Sequence, residues 1–157
     1  MKHLFVARHG DYGEDKRISD KGRQQMEALG KAIKQILNGS SAYLFSSTAP
    51  RALDSSQILA VQLALPSEFE KVPYLWSGNN APKESYDYRL DKLMRLVVER
   101  KDRADCLVMV THVEVAKDFP SYFLINEFKQ DKSIGEISKG QAVYFDLEKR
   151  TYQILPR

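Results

Sequence analysis

The 157-residue chain has a single cysteine, Cys106, and its longest uninterrupted apolar run is five residues, CLVMV. One cysteine excludes an internal disulfide and offers no cysteine cluster for a metal. Its place inside that run marks it as a buried strand thiol. A membrane-spanning helix needs about 18 or more apolar residues, so no membrane association is expected. The opening MKHLFVARHG carries one lysine and a very short apolar stretch, which does not make a signal peptide; the cytoplasm is the expected location. Neither sign of charge dominates. The net charge is +3, from 24 Lys and Arg against 21 Asp and Glu scattered along the chain, too mild to point to nucleic acid. Repeats, low-complexity tracts and linkers are also missing, so residues 1–157 are expected to form one domain, long enough for a real core.

What is present is an alternation of strand and helix signals. HLFVA, at the start, reads as a buried strand. A helix is expected over Ser19–Leu37, where Met26, Leu29, Ile33 and Leu37 recur at helical spacing. Ser19 serves as its cap, and Asn38-Gly39 as its stop. AYLFS (Ala42–Ser46) is a second strand and Pro50–Leu63 a second helix. A short strand is expected over Glu70–Tyr74, and a third helix over Tyr86–Lys101. DCLVMVTH (Asp105–His112) lacks alternation, as a central strand covered on both faces should. A helix over Val115–Phe123, interrupted at Pro120, and a hairpin turning at Glu148-Lys149-Arg150 complete the pattern. This order predicts a three-layer α/β/α architecture around a mostly parallel central sheet.

Ligands of such sheets sit at the carboxyl ends of the strands, and there the polar residues collect. The first strand ends in Arg8-His9-Gly10. The second ends in Ser46-Ser47-Thr48, with Arg51 in the first turn of the next helix. CLVMV ends in Thr111-His112. If these ends are neighbours, two arginines and two histidines meet. Guanidiniums that close repel unless an anion lies between them, and arginine grips phosphate through paired hydrogen bonds. Backbone N–H groups at the start of the second helix would aim at the same anion. A neutral imidazole is a competent nucleophile near pH 7. Nearby cations would keep His9 uncharged, a backbone carbonyl would fix its tautomer, and His112 would steady the phosphoryl oxygens. His3, at the other end of its strand, is structural. Trp76, near Tyr74, Tyr86 and Tyr88, serves the core or walls the pocket.

These blocks resemble the histidine phosphatase superfamily, the phosphoglycerate mutase-like group. The matching features are Arg8-His9-Gly10, then Ile18-Ser19-Asp20-Lys21-Gly22-Arg23-Gln24-Gln25, then Ser47 with Arg51-Ala52 and Ser55, then VMVTH. They occur in the family's order and span most of the chain. The resemblance implies a phosphate pocket of Arg8, His9, Arg51 and His112, phosphorylation of His9, and no need of a metal or other cofactor. Gly10, Asp11, Ser47 and Val113 are the further residues expected at the phosphate or substrate; Val113 stands where the family usually has glycine. The short length and the aspartate directly after Arg-His-Gly resemble the SixA-like phosphohistidine phosphatases. Glu84, with Asp87 behind it, is the candidate general acid, in no convincing motif. A phosphoramidate needs far less protonation to leave than an alkoxide. The expected substrate is therefore phosphohistidine in a partner protein. The alternatives are a small phosphate ester as substrate, or a non-catalytic module that binds phospho-ligands. Phosphate or sulfate should occupy the pocket in each case.

Overall fold

A computed structural model describes residues 1–76 and 86–156, with backbone alone at 86–88. Six strands form one sheet: β1 (His3–Arg8), β2 (Ala42–Ser46), β3 (Glu70–Lys71), β4 (Cys106–Thr111), β5 (Ala142–Asp146) and β6 (Thr151–Leu155). Their order is β3-β2-β4-β1-β5-β6. The first four run parallel, β5 runs against β1, and β6 pairs antiparallel to β5. Helices α1 (Asp20–Leu37), α2 (Pro50–Gln62), α3 (Tyr86–Arg100) and α4 (Val113–Phe123) cover the two faces. The three-layer, mostly parallel architecture expected from the sequence is the one found.

Side chains alternate along β1 between two cores. Leu4 and Val6 join a cluster with Leu93 and Val97 of α3 and Phe119 and Phe123 of α4. Phe5 and Ala7 join Met26, Leu29 and Ile33 of α1 and Leu59 of α2. Strand β4 divides the same way, with Leu107 and Met109 on one side and Cys106, Val108 and Val110 on the other. All six of its residues are buried. Both faces of these strands therefore exclude water, and that is why their sequences are continuously apolar.

The local signals act as their chemistry requires. The Ser19 hydroxyl caps α1 by accepting from the Gly22 amide, and Asn38 ends the helix in the left-handed conformation (φ 44°). Two prolines give a different outcome from the one their sequence context suggests. Pro73 has no N–H for the ladder, so β3 stops at Lys71 and a 3₁₀ turn follows over Pro73–Leu75. Pro120 does not interrupt its helix. Helix α4 runs through it and continues as a π turn over Leu124–Phe128. Phe119 and Phe123, buried on either side, hold the helix despite a cost of about 3 kcal/mol for an internal proline.

The first turn of α1 lies directly against the loop after β1. A Cβ on Gly22 would stand 2.0 Å from the Asp11 carbonyl oxygen, far inside contact distance. Gly22→Ala is expected to lower stability by about 3 kcal/mol in urea unfolding. Gly135→Ala, where no atom lies within 4 Å of the new methyl, should leave the midpoint almost unchanged. Equal midpoints for the two variants would show that the close approach is not needed.

Candidate active site

The sheet order places β4 between β1 and β2, and the register makes their carboxyl ends level. Arg8 stands opposite Thr111. The His9 amide donates to the Thr111 carbonyl (3.0 Å) and the Ser47 amide to the Val110 carbonyl (3.0 Å). Residues 9, 47 and 112 thus leave three adjacent strands at one height. The His9 and His112 ring centroids are 5.0 Å apart, and both residues are buried.

Arg51, from the first turn of α2, lies across both rings. Its Nε donates to His9 Nε2 (3.1 Å) and its Nη2 to His112 Nδ1 (3.1 Å). A guanidinium can only donate, so each of these ring nitrogens is an acceptor. The protons are therefore on the opposite nitrogens. His9 Nδ1–H donates to the Gly10 carbonyl (2.8 Å), and His112 Nε2–H donates to Ser47 Oγ (2.7 Å). His9 Nε2 is unprotonated and accepts from Arg51, the tautomer a nucleophile requires.

The loop carrying His9 is pinned on three sides. The Gly10 amide donates to Ser55 Oγ (3.0 Å), and that hydroxyl donates to the Arg51 carbonyl (2.7 Å). The Asp11 amide donates to Gln25 Oε1 of α1 (2.9 Å). The Gly140 amide, just before β5, donates to the Arg8 and His9 carbonyls (3.2 and 3.1 Å). Thr111 Oγ1 donates to the Leu75 carbonyl (2.8 Å), and the adjacent Trp76 ring lies 6.5 Å from His112 at 28°. Trp76 also packs on the core, the first of the two roles considered for it.

Arg8 lies at the same rim with different partners. Its Nη1 donates to Glu136 Oε1 (2.7 Å) and to the Ile137 carbonyl (2.8 Å), while its buried Nε has no hydrogen-bond partner. A cleft of about 540 Å³ opens beside it, lined in part by Asp11, Lys21 and Lys139. Asp11 faces Lys139 (Nζ–Oδ1 2.7 Å) and accepts from the Ser19 hydroxyl (3.2 Å), an arrangement that holds its carboxyl below the usual carboxylate range. Val113 opens α4 directly after His112. The start of α2 offers an anion less than its sequence suggests. Pro50 has no N–H, Ala49 gives its own to Ser47 Oγ, and Ala52 and Leu53 give theirs to the Ala49 carbonyl. His3, at the far end of β1, pairs with the Tyr144 hydroxyl (3.0 Å). Glu84 lies outside the described residues, as does the side chain of Asp87.

Two residues at the site carried no role in the sequence reading. The Tyr12 ring meets His9 edge-on at 5.3 Å, with Arg51 Cζ 4.8 Å and Lys139 Nζ 4.5 Å from its centroid. Lys139 is brought there by the Gly140 hydrogen bonds, 130 residues along the chain from His9. No local pattern announces it.

No protein-family model matches the chain, and no curated protein does. Solved structures do. The protein histidine phosphatase SixA complexed with tungstate superposes with a TM-score of 0.65 at 16% identity, over 96% of this chain and 94% of that one. A mycobacterial glucosyl-3-phosphoglycerate phosphatase in complex with VO3 gives 0.66 at 15% identity, over 100% and 99%. An ecdysone phosphate phosphatase from Bombyx mori with tungstate gives 0.68 at 11%, over 100% and 93%. The fold is that of the histidine phosphatases. Within the histidine phosphatase fold, the resemblance seen in the sequence motifs and the likeness in structure agree. Among the described residues, no helix is long and apolar enough to cross a membrane.

Burial, opposed by the Gly10 hydrogen bond and assisted by Arg51, Arg8 and Lys139, lowers the His9 pKa from 6.5 to about 4. Burial, with His9, Arg51 and Arg8, lowers that of His112 to about 2. Both rings are then neutral in the fold where free histidine would already be charged. The unfolded chain takes up these protons first, so stability is full above pH 6.5 and is lost as the pH falls towards 4. In His9→Gln, stability measured by urea unfolding should fall less steeply between about pH 7 and pH 5 than in the parent. An equal slope would mean that His9 takes up its proton as readily in the folded protein as in the unfolded chain.

Proposed function

We propose that this chain is a phosphatase that carries the phosphoryl group on His9. The observation behind this reading is the His9 tautomer. Its Nδ1 proton is spent on Gly10, and its Nε2 lone pair lies under Arg51. An entering phosphoryl group draws Arg51 from the two rings onto its oxygens, since a charge-assisted bond to an oxyanion is roughly twice as strong as one between neutral partners. The buried Arg8 Nε is a further donor that an oxyanion would satisfy.

In the first step His9 Nε2 attacks phosphorus. The P–N bond forms as the bond to the leaving group breaks, and the leaving group departs with its electron pair and takes a proton from water. Water then attacks the phosphohistidine, releases inorganic phosphate and returns His9 to its neutral form. Arg8, Arg51 and His112 meet the charge on the phosphoryl oxygens in both steps. The sequence calls on no metal or cofactor.

The substrate we infer is phosphohistidine in a partner protein. Asp11, the carboxylate two residues after His9, is paired with Lys139 and held below the usual carboxylate range, and a carboxylate held ionised is a poor proton donor. An imidazole leaving group needs little protonation, whereas an alkoxide needs a strong acid. The solved SixA structure lends this reading an analogy at the level of fold.

Incubation with phosphoramidate should place an acid-labile phosphate on His9, and His9→Ala should lose both the label and turnover. Arg51→Ala should lower kcat/KM by about 10² to 10³. In phosphate-release assays a phosphohistidine-bearing protein should be preferred over a panel of sugar phosphates. Preference for the sugars would overturn the substrate, and anion binding without a label on His9 would overturn the reaction.

A further inference from the structure

The Arg51–His112–Ser47 chain has a direction. Arg51 Nη2 donates to His112 Nδ1 at 3.1 Å, so this nitrogen is an acceptor. His112 Nε2–H donates to Ser47 Oγ at 2.7 Å. That oxygen also accepts the Ala49 amide at 3.3 Å. With both acceptor positions taken, the Ser47 hydroxyl hydrogen is uncommitted to either neighbour. In this polarity His112 offers the pocket a lone pair, not a proton, and a lone pair repels an oxyanion.

We propose that anion binding reverses this chain, and that Ser47 is the positioning residue that allows it. In the loaded site, Arg51 turns to the anion. His112 then carries its proton on Nδ1 and donates it to a phosphoryl oxygen. Ser47 rotates its hydroxyl and donates to the bare Nε2. The ring gains no net charge: water takes the Nε2 proton, and Nδ1 receives one from water or from the hydroxyl of a phosphate monoanion. Serine is suited to this because its hydroxyl donates as readily as it accepts, and it turns without moving the backbone. The alternative, a doubly protonated ring, is opposed by the burial of His112 among Arg51, Arg8 and His9. The inference rests on the phosphoryl site proposed above, and it assigns to Ser47 a function beyond contact with phosphate.

The test reads the ring directly. The protein has three histidines, so ¹⁵N-histidine labelling with long-range ¹H–¹⁵N correlation resolves each tautomer. Variants His3→Gln and His9→Gln assign the signals. Titration of the wild-type protein with inorganic phosphate or vanadate should move His112 from the Nε2-protonated to the Nδ1-protonated pattern. Ser47→Ala should bind phosphate about tenfold more weakly and should not show the clean exchange; Ser47→Thr, which keeps the hydroxyl, should restore it. A His112 that stays Nε2-protonated with the anion bound, or becomes doubly protonated, overturns the proposal. The wild-type titration decides this even if Ser47→Ala fails to fold. Labelling of His9 by phosphoramidate is read separately. A labelled His9 without a tautomer change sinks this inference alone, whereas an unlabelled His9 sinks the catalytic reading beneath it.

Discussion

Arg51 holds the site together. One guanidinium, carried on the first turn of a helix, satisfies a lone pair on each of two buried imidazoles. This contact sets both tautomers, because arginine cannot accept and the rings must. It also keeps both rings neutral alongside their burial. In the function proposed above, an oxyanion competes for the same hydrogens, so that binding an anion and uncovering the His9 lone pair are a single event. In the proposed reaction, the nucleophile is sheltered until there is something for it to attack.

That contact depends on the sheet. Strand β4 lies between β1 and β2, and the pairing of Arg8 with Thr111 and of Ser46 with Val110 brings three strand ends to one level. A slip of one residue would turn His9 or His112 into the opposite face of the sheet. The alternation of β1 and β4 between two cores prevents it, since a slip would exchange the large side chains of one core for those of the other. The loop after β1 is then set by close approach. Gly22 admits the Asp11 backbone, and Gly140, with φ +75°, lies against Gln25 while bonding to the Arg8 and His9 carbonyls. Both glycines are distant from His9 in sequence, and both set the position of the loop that carries it.

Much of this was legible before any coordinates. The apolar runs and their polar ends marked β1, β2 and β4 and located Arg8, His9, Arg51 and His112, because each of these signals is local: a strand, its last residue and the turn that follows. The cap at Ser19 and the stop at Asn38-Gly39 were readable for the same reason. Other features were settled by contacts that no window contains. Lys139 and Tyr12 meet only because the segment before β5 bonds to the end of β1. The pairing of Arg8 with Glu136 joins positions 128 residues apart. Intrinsic preference makes Pro120 a break, and the packing of Phe119 and Phe123 outweighs it. Of the amide donors expected at the start of α2, Pro50 has none and Ala49 gives its own to Ser47 Oγ.

The central claim is that Arg51 exchanges two imidazoles for one anion while His9 Nε2 faces the atom at that anion's centre. A crystal structure grown with vanadate tests it most directly. The account requires vanadium in line with His9 Nε2, the Arg51 guanidinium on the equatorial oxygens and no longer on the rings, and the His9 Nδ1 bond to Gly10 intact. Vanadate bound elsewhere, or bound there with Arg51 still joining the two histidines, would contradict it.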